Sequence, residues 1–266
     1  MGKSYQHSGL EDIIKGLRQI HLPLYLAKAD IRRRYRRSTL GPFWITLSTG
    51  IMIATIGAIF GNIFKSSISE FLPFIAVGLI LWSFISSVVN ESCTVFPSSE
   101  ATIRQLPLPL FIHVERMIFK NLLIFFHNII IFPIVCLIVG KPINFVSLIS
   151  VIGLLVVTVN LGWVSLLLGM VCTRFRDLTQ IVASILQIAF YVTPIIWLPN
   201  LLRARGSAFF LDTNPLYHLM ELVRAPLLGN YPTALNWIVS LTLMFLGWSV
   251  TVFLYNRYKK RIAYWL

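Results

Sequence analysis

Five arginines occupy six positions, Arg32-Arg33-Arg34-Tyr35-Arg36-Arg37, directly before a long apolar stretch. Guanidinium forks match phosphate oxygens in pairs. Arg32, Arg33, Arg36 and Arg37 are therefore candidates for holding a phosphate-bearing substrate. The same run also reads as a topological anchor on anionic lipid headgroups. Little else in the chain has the make-up for chemistry. His127 and Asn128 lie together in an apolar stretch, where packing with a helix-to-helix hydrogen bond accounts for them more simply than a proton relay. Cys93, Cys136 and Cys172 are scattered without ligand spacing and read as reduced packing residues. No G-x-x-x-x-G-K-[ST] loop occurs: Gly140-Lys141 has Val135 in the place of the first Gly and is followed by Pro142.

The elements that must position these groups follow from where charge is missing. The 266 residues include 23 Lys+Arg and 10 Asp+Glu, a net charge of +13, yet only 12% are charged and 56% are hydrophobic. A soluble domain carries about 25% charged residues. The balance argues against a nucleic-acid-binding domain, a disordered tail protein and an ordinary soluble enzyme. Six stretches of 20 residues or more contain no Asp, Glu, Lys or Arg: 38–64, 71–90, 121–140, 142–173, 178–202 and 225–256. A bilayer core of about 30 Å takes ~20 apolar residues in a helix. The spacing predicts an all-α integral membrane protein with six transmembrane helices. Continuous rather than alternating hydrophobicity favours helices over a barrel. The first 38 residues hold nine Lys/Arg and do not read as a cleavable signal.

Six spans place both termini on one side. With the N-terminus inside, the inner segments carry 18 Lys+Arg and the outer ones 5. The positive-inside rule then predicts cytoplasmic termini in the cytoplasmic (inner) membrane. The domain plan is a cytoplasmic interface region (1–37), a six-helix transmembrane domain (38–256) and a basic tail (257–266). In the first region Ser8 and Glu11 fit a capping box. Leu10, Ile13, Ile14, Leu17, Ile20 and Leu24 recur at helical spacing, which predicts an amphipathic helix on the inner surface, kinked or split at Pro23.

Between the second and third spans, Pro97 and Ser98 start a short helix that ends before Pro107, with Glu100 and Arg104 on it. The next inner loop holds Arg174, Arg176 and Asp177, the last placed to cap the following helix. Each segment suits a plain connector or a lever docked into a soluble partner. The region 201–232 is too apolar for a free loop and too interrupted for a span, and predicts external re-entrant helices. Gly57 and Gly61 form a G-x-x-x-G pair, a close helix contact. Trp44, Thr49, Trp82, Tyr191, Thr193 and Trp197 mix aromatic faces with hydroxyls as a sugar path requires. Interfacial anchoring and helix packing explain the same residues equally well. No Asp or Glu lies in the six stretches, so proton- or sodium-coupled transport has little to work with.

Four motifs in register complete a resemblance. The entry Arg33-Arg34-Tyr35-Arg36-Arg37-Ser38-Thr39-Leu40-Gly41-Pro42-Phe43-Trp44 resembles that of polysaccharide ABC-exporter permeases, the membrane subunits for O-antigen, capsule and teichoic-acid export. Arg174-Phe175-Arg176-Asp177-Leu178, Tyr191-Val192-Thr193-Pro194-Ile195 and Asn214-Pro215-Leu216 are similar to that family's later motifs, and Arg257-Tyr258-Lys259-Lys260-Arg261 to its basic ending. Pro42-Phe43 departs from the Tyr-Leu common in relatives.

The resemblance implies a homodimer bound to two copies of a separate ABC ATPase, which holds the ATP and Mg; this chain would need no cofactor or metal and have no catalytic residue. It implies export of a polysaccharide, O-antigen first, linked to undecaprenyl diphosphate. Arg32, Arg33, Arg36 and Arg37 would read the lipid diphosphate. Trp44, Thr49, Trp82, Tyr191 and Trp197 would line the channel. Ser98, Glu100, Arg104, Arg174, Arg176 and Asp177 would couple to the ATPase. Membrane lipids are the remaining partner, and nucleic acid is not one. The rival expectations are a similar ABC permease for drugs or small lipids, and an intramembrane enzyme acting on lipid-linked sugars.

Overall fold

The computed structural model describes residues 8–36, 43–63, 67–200 and 209–266, and every described element is helical. The N-terminal region forms α1 (Gly9–Arg18) and α2 (His21–Tyr35). Ser8 caps α1 by accepting the Glu11 N–H at 3.2 Å. The break falls at Gln19 and Ile20, because Pro23 has no N–H to offer the Gln19 carbonyl. Leu10, Ile14, Leu17 and Ile20 are exposed as an apolar stripe, and Gly9, Asp12, Ile13 and Gly16 are buried. The amphipathic helix therefore has a third face, packed on protein.

The bundle is built around α4 (Ile68–Ser92). Its residues are apolar all round and mostly buried, as a central helix requires. Against it lie α3 (Phe43–Ile63), α6 (Phe111–Asn128), α7 (Ile131–Val139), α8 (Ile149–Arg174) and α9 (Leu178–Val192). The short α5 (Glu100–Gln105) follows a 3-10 turn at Pro97–Ser99. Two further short helices, α10 (Phe209–Asp212) and α11 (Pro215–Leu227), precede the closing α12 (Ala234–Trp265).

Among the described residues four helical segments are long and apolar enough to cross a membrane: Ile68–Ser92, Phe111–Val139, Phe145–Arg174 and Ala234–Trp265. Two shorter apolar helices are Phe43–Ile59 and Leu178–Val192. The helix bounds differ from the charge-free stretches. The last long helix starts at Ala234, not at 225, because residues 225–227 close α11 and Gly229 then turns with φ +90°. Helix α6 begins ten residues before its charge-free stretch. It breaks at Ile129 and Ile130, where Pro133 cannot donate to Ile129.

Helices α8 and α12 meet through reciprocal tryptophan–glycine contacts. A Cβ on Gly162 would lie 2.9 Å from the Trp248 ring, and one on Gly247 2.2 Å from Trp163. Trp248 Nε1 donates to the Val159 carbonyl at 3.1 Å, and Asn160 Nδ2 to the Ser240 carbonyl at 3.2 Å. Small residues let helix backbones approach where lipid supplies no hydrophobic drive. Gly57 does the same for α3, where a Cβ would sit 2.3 Å from Leu72 of α4.

Helix α1 and the last turns of α12 lie at one end of the bundle. Asp12 of α1 pairs with Lys259 of α12 at 2.8 Å, both nearly fully buried. Asp12 also accepts from Tyr255 Oη at 2.7 Å and from the Phe111 N–H at 3.0 Å. The basic residues 257–261 lie in the last turns of α12.

Candidate functional site

The end that carries α1 and the close of α12 also gathers the described members of the predicted phosphate-binding and coupling sets. Arg32, Arg33 and Arg36 are exposed at the end of α2, and Arg34 stacks on Tyr35 with its guanidinium 5.9 Å from the ring centre. Arg37 lies outside the described residues. Helix α2 is held to α6 by a two-pronged pair: Arg116 Nε and one terminal nitrogen each donate to Asp30 at 2.6 Å. One turn further on, Lys120 pairs with Glu91 of α4 at 2.6 Å, and Asn121 donates to the same carboxylate at 2.9 Å.

These pairs wall a cavity of about 300 Å³ between α2, α6 and the turn before α5. Thr94, Ser98 and Ser99 close its other side. His113 lines it with both ring nitrogens unpartnered. On the same helix Glu115 is buried with neither carboxyl oxygen hydrogen-bonded.

Ser98 hydrogen-bonds only locally, donating to the Val95 carbonyl at 3.2 Å. Arg104 and Glu100 pair along α5 at 2.8 Å and remain well exposed. Ile103 is the buried anchor of α5. Arg174, Arg176 and Asp177 are exposed where α8 turns into α9. The Arg174 guanidinium lies 5.5 Å from the centre of the Trp265 ring, which puts this loop at the same end. Asp177 makes no side-chain cap, contrary to expectation, because its own backbone is already helical (φ −64°, ψ −28°); a cap residue needs extended backbone to turn its side chain onto the N–H groups.

The channel candidates divide. Trp44 and Tyr191 are exposed, at 56% and 62%. Thr49 and Trp82 are turned into the packing, Trp82 tilted against Phe190 with ring centres 5.8 Å apart. Trp197 is half-buried and donates its indole N–H to the Tyr191 carbonyl at 3.1 Å. His127 does not bridge helices with its ring, which hydrogen-bonds to Leu123 of its own helix at 2.7 Å. The bridge is made by its carbonyl, which accepts from Thr46 of α3 at 3.4 Å.

At the opposite end a polar collar joins two of the sequence motifs. Asn214 caps α11 by accepting the N–H groups of Leu216 and Tyr217, and its Nδ2 donates to Thr193 Oγ1 at 3.0 Å. Arg224, at the other end of α11, is completely buried. It donates to Glu221 and to the Pro194 carbonyl, and its guanidinium lies 4.2 Å from the centre of the Phe74 ring. The turn after α9 is thus pinned from both ends of α11. His218 completes the collar, bonding Asn236 Oδ1 at 2.8 Å and the Asp212 carbonyl at 2.9 Å.

Sequence reasoning missed Asp12, Asp30, Glu91, Arg116, Lys120 and Arg224 as structural ions. The signal for Asp12 was the stripe Gly9, Asp12, Gly16, whose small residues admit a close neighbour. For Arg224 it was one cation inside a helix otherwise largely apolar. No metal-binding group of three His, Cys, Asp or Glu gathers among the described residues. Cys93, just past α4, is buried, which pushes its thiol up to about 12, with Cys172 beside it adding to the shift; such a thiol is unreactive.

The class is a polytopic helical membrane protein whose described charged groups gather toward the two ends. Residues 24–228 match the family described as ABC-2 type transporter, and the chain belongs to that family. It is similar to the O-antigen export system permease protein RfbA of Myxococcus xanthus, 24% identical over 206 residues, which cover 77% of this chain and 79% of that one. A Klebsiella pneumoniae protein of the same name is 23% identical over 247 residues, 91% of this chain and 93% of that one.

Proposed function

We propose that this chain is the permease subunit of an ABC transporter that exports an undecaprenyl-diphosphate-linked polysaccharide, O-antigen, across the cytoplasmic membrane. The observation that carries the reading is the coincidence of all coupling candidates with the exposed arginines at one end. Similarity over nearly the full length to permeases named for O-antigen export supports it. The two shorter apolar helices complete six spans, and the shared end of the termini fits an even number of crossings. That end is cytoplasmic, as the excess of Lys+Arg supports.

In this reading two copies form a homodimer on two ATPase subunits. ATP binding closes the ATPases, and force enters through 97–105 and 174–177. Arg32, Arg33, Arg36 and Arg37 hold the lipid diphosphate; Arg32, Arg33 and Arg36 are exposed and have no acidic partner among the described residues, which suits guanidinium groups to that task. Trp44 and Tyr191 face the glycan, and the helices 209–227 bound the outer exit. No bond is made or broken in this chain.

The test is co-purification with the ATPase encoded beside it, followed by export in reconstituted cells. Stable association and ATP-dependent appearance of polymer outside are expected. Export by this chain without any ATPase would sink the proposal. Replacing Arg32, Arg33 and Arg36 by Gln should lower export and substrate-stimulated ATP hydrolysis with the dimer intact.

A further inference from the structure

We propose that the shared end of α8 and α12 is a binding site for a resident anionic phospholipid, separate from the arginine run on α2. An apolar slot of about 250 Å³ opens between these helices, walled by Leu167, Met170, Val171 and Leu254. Arg174, Tyr258 and Trp265 stand at its mouth. The Arg174 guanidinium lies 5.0 Å from the centre of the Phe175 ring and 5.5 Å from that of Trp265. Arg257 and Arg261 both stack on Tyr258, at 5.8 and 5.7 Å.

The charge balance at this mouth is one-sided. Arg104, Arg116, Arg224, Lys120 and Lys259 each have a carboxylate partner. Among the described residues Arg174, Arg257 and Arg261 have none; aromatic faces hold them instead. All three are exposed. Stacking fixes a guanidinium in place while its N–H edge stays free to bind an anion. Trp and Tyr at this level mark the headgroup region of a bilayer.

An anionic group alone would use the arginines and leave the slot empty. An acyl chain alone would fill the slot and leave three cations unneutralised. A phospholipid with a net negative headgroup satisfies both, with its phosphate under the arginines and part of one chain between α8 and α12. The site needs only that the chain lies in a membrane, so it stands apart from the export reading.

The experiment uses the full chain in phosphatidylcholine nanodiscs containing labelled phosphatidylglycerol, with retained lipid read by native mass spectrometry. One phosphatidylglycerol per chain is expected to be retained above the phosphatidylcholine background. Arg257→Gln with Arg261→Gln should weaken it about twenty-five-fold, since each basic residue near the headgroups contributes roughly a factor of five. Leu254→Trp, which fills the slot and leaves the arginines, should also release the lipid. Should that variant fail to fold, the arginine pair and the competitors decide. Unchanged retention in the arginine pair overturns the proposal. Displacement by millimolar glycerol 3-phosphate would make this a free-phosphate site, and displacement by undecaprenyl diphosphate would make it a carrier site; either overturns it.

Discussion

Arg224→Met removes the most deeply buried charge among the described residues. The Arg224 side chain is 0% exposed and that of Glu221 14%. Taking one partner from a buried ion pair costs about 3–5 kcal/mol, because the other is left uncompensated. Glu221 keeps some contact with solvent, which favours the lower end. The Pro194 carbonyl loses its donor in a buried turn, worth about 1–3 kcal/mol. These losses share one group and overlap, and Met refills the contact with Phe74. The expected destabilisation is about 3–4 kcal/mol, measured by equilibrium unfolding in mixed micelles. Glu221→Gln combined with Arg224→Met removes the uncompensated carboxylate and should recover about 1–2 kcal/mol. Arg224→Lys keeps the charge but has no fork to reach both Glu221 and Pro194, and should fall between. Arg224 does not hold the collar if Arg224→Met unfolds within about 1 kcal/mol of the parent, a cost no greater than one ordinary hydrogen bond.

Asp12→Asn keeps an acceptor for Tyr255 and the Phe111 N–H but withdraws the carboxylate from Lys259. It should loosen α1 by about 1.5–3 kcal/mol, read as faster proteolysis near Gln19 with the remainder of the chain resistant. Trp44→Ala and Trp82→Ala should separate cleanly. The exposed Trp44 should slow transport with stability unchanged, and the buried Trp82 should cost about 3–5 kcal/mol in unfolding assays. Gly153→Ala places a Cβ 2.2 Å from the Leu222 backbone carbonyl, which cannot turn aside. It should destabilise by about 1–3 kcal/mol, whereas Gly57→Ala meets only the rotatable end of Leu72 and should cost less; equal unfolding midpoints would refute that distinction.

Charge-free length identified where apolar helices run, and it could not locate their ends. The stretch 225–256 holds no charge, yet Gly229 to Pro232 divide it into the end of α11 and the start of α12. Charge counting is blind to backbone breakers, although Pro133 and Pro23 stand in the sequence where their helices split. The N-terminal helix was legible in detail because a cap, an apolar stripe and a polar face all repeat locally. Its third face was not, because Asp12 finds Lys259 some 247 positions away, and separation in sequence carries no sign of such pairing. The short helix before Pro107 was legible for the same local reason. The ionic frame around it depends on Asp30, Glu91, Arg116 and Lys120, which come from three helices. The collar at the opposite end was half-legible: Tyr191–Ile195 and Asn214–Leu216 stood out as motifs, and their hydrogen bond joins them only in three dimensions.

The distribution of ions carries a mechanical consequence. The carboxylates of α4 and α6 sit near the helix ends, Glu91 and Glu115 toward the end that holds α1 and Glu70 toward the other. At the terminal end α5 is held by one buried side chain, Ile103, but it is bracketed by two firm pairs, Asp30–Arg116 and Glu91–Lys120. Both pairs line one cavity together with Thr94, Ser98 and Ser99 of the turn that leads into α5. At the other end Asn214 and Arg224 tie the turn after α9 to α11, so α9 cannot tilt without carrying α11 with it. Helix α4 touches both assemblies, through Glu91 near one end and Phe74 near the other. It is buried almost throughout its length, and close-packed interiors transmit strain with little loss. A central helix fastened by an ion pair near one end and by a cation–aromatic contact near the other is an arrangement by which a push on an exposed loop at the first end would reach the second.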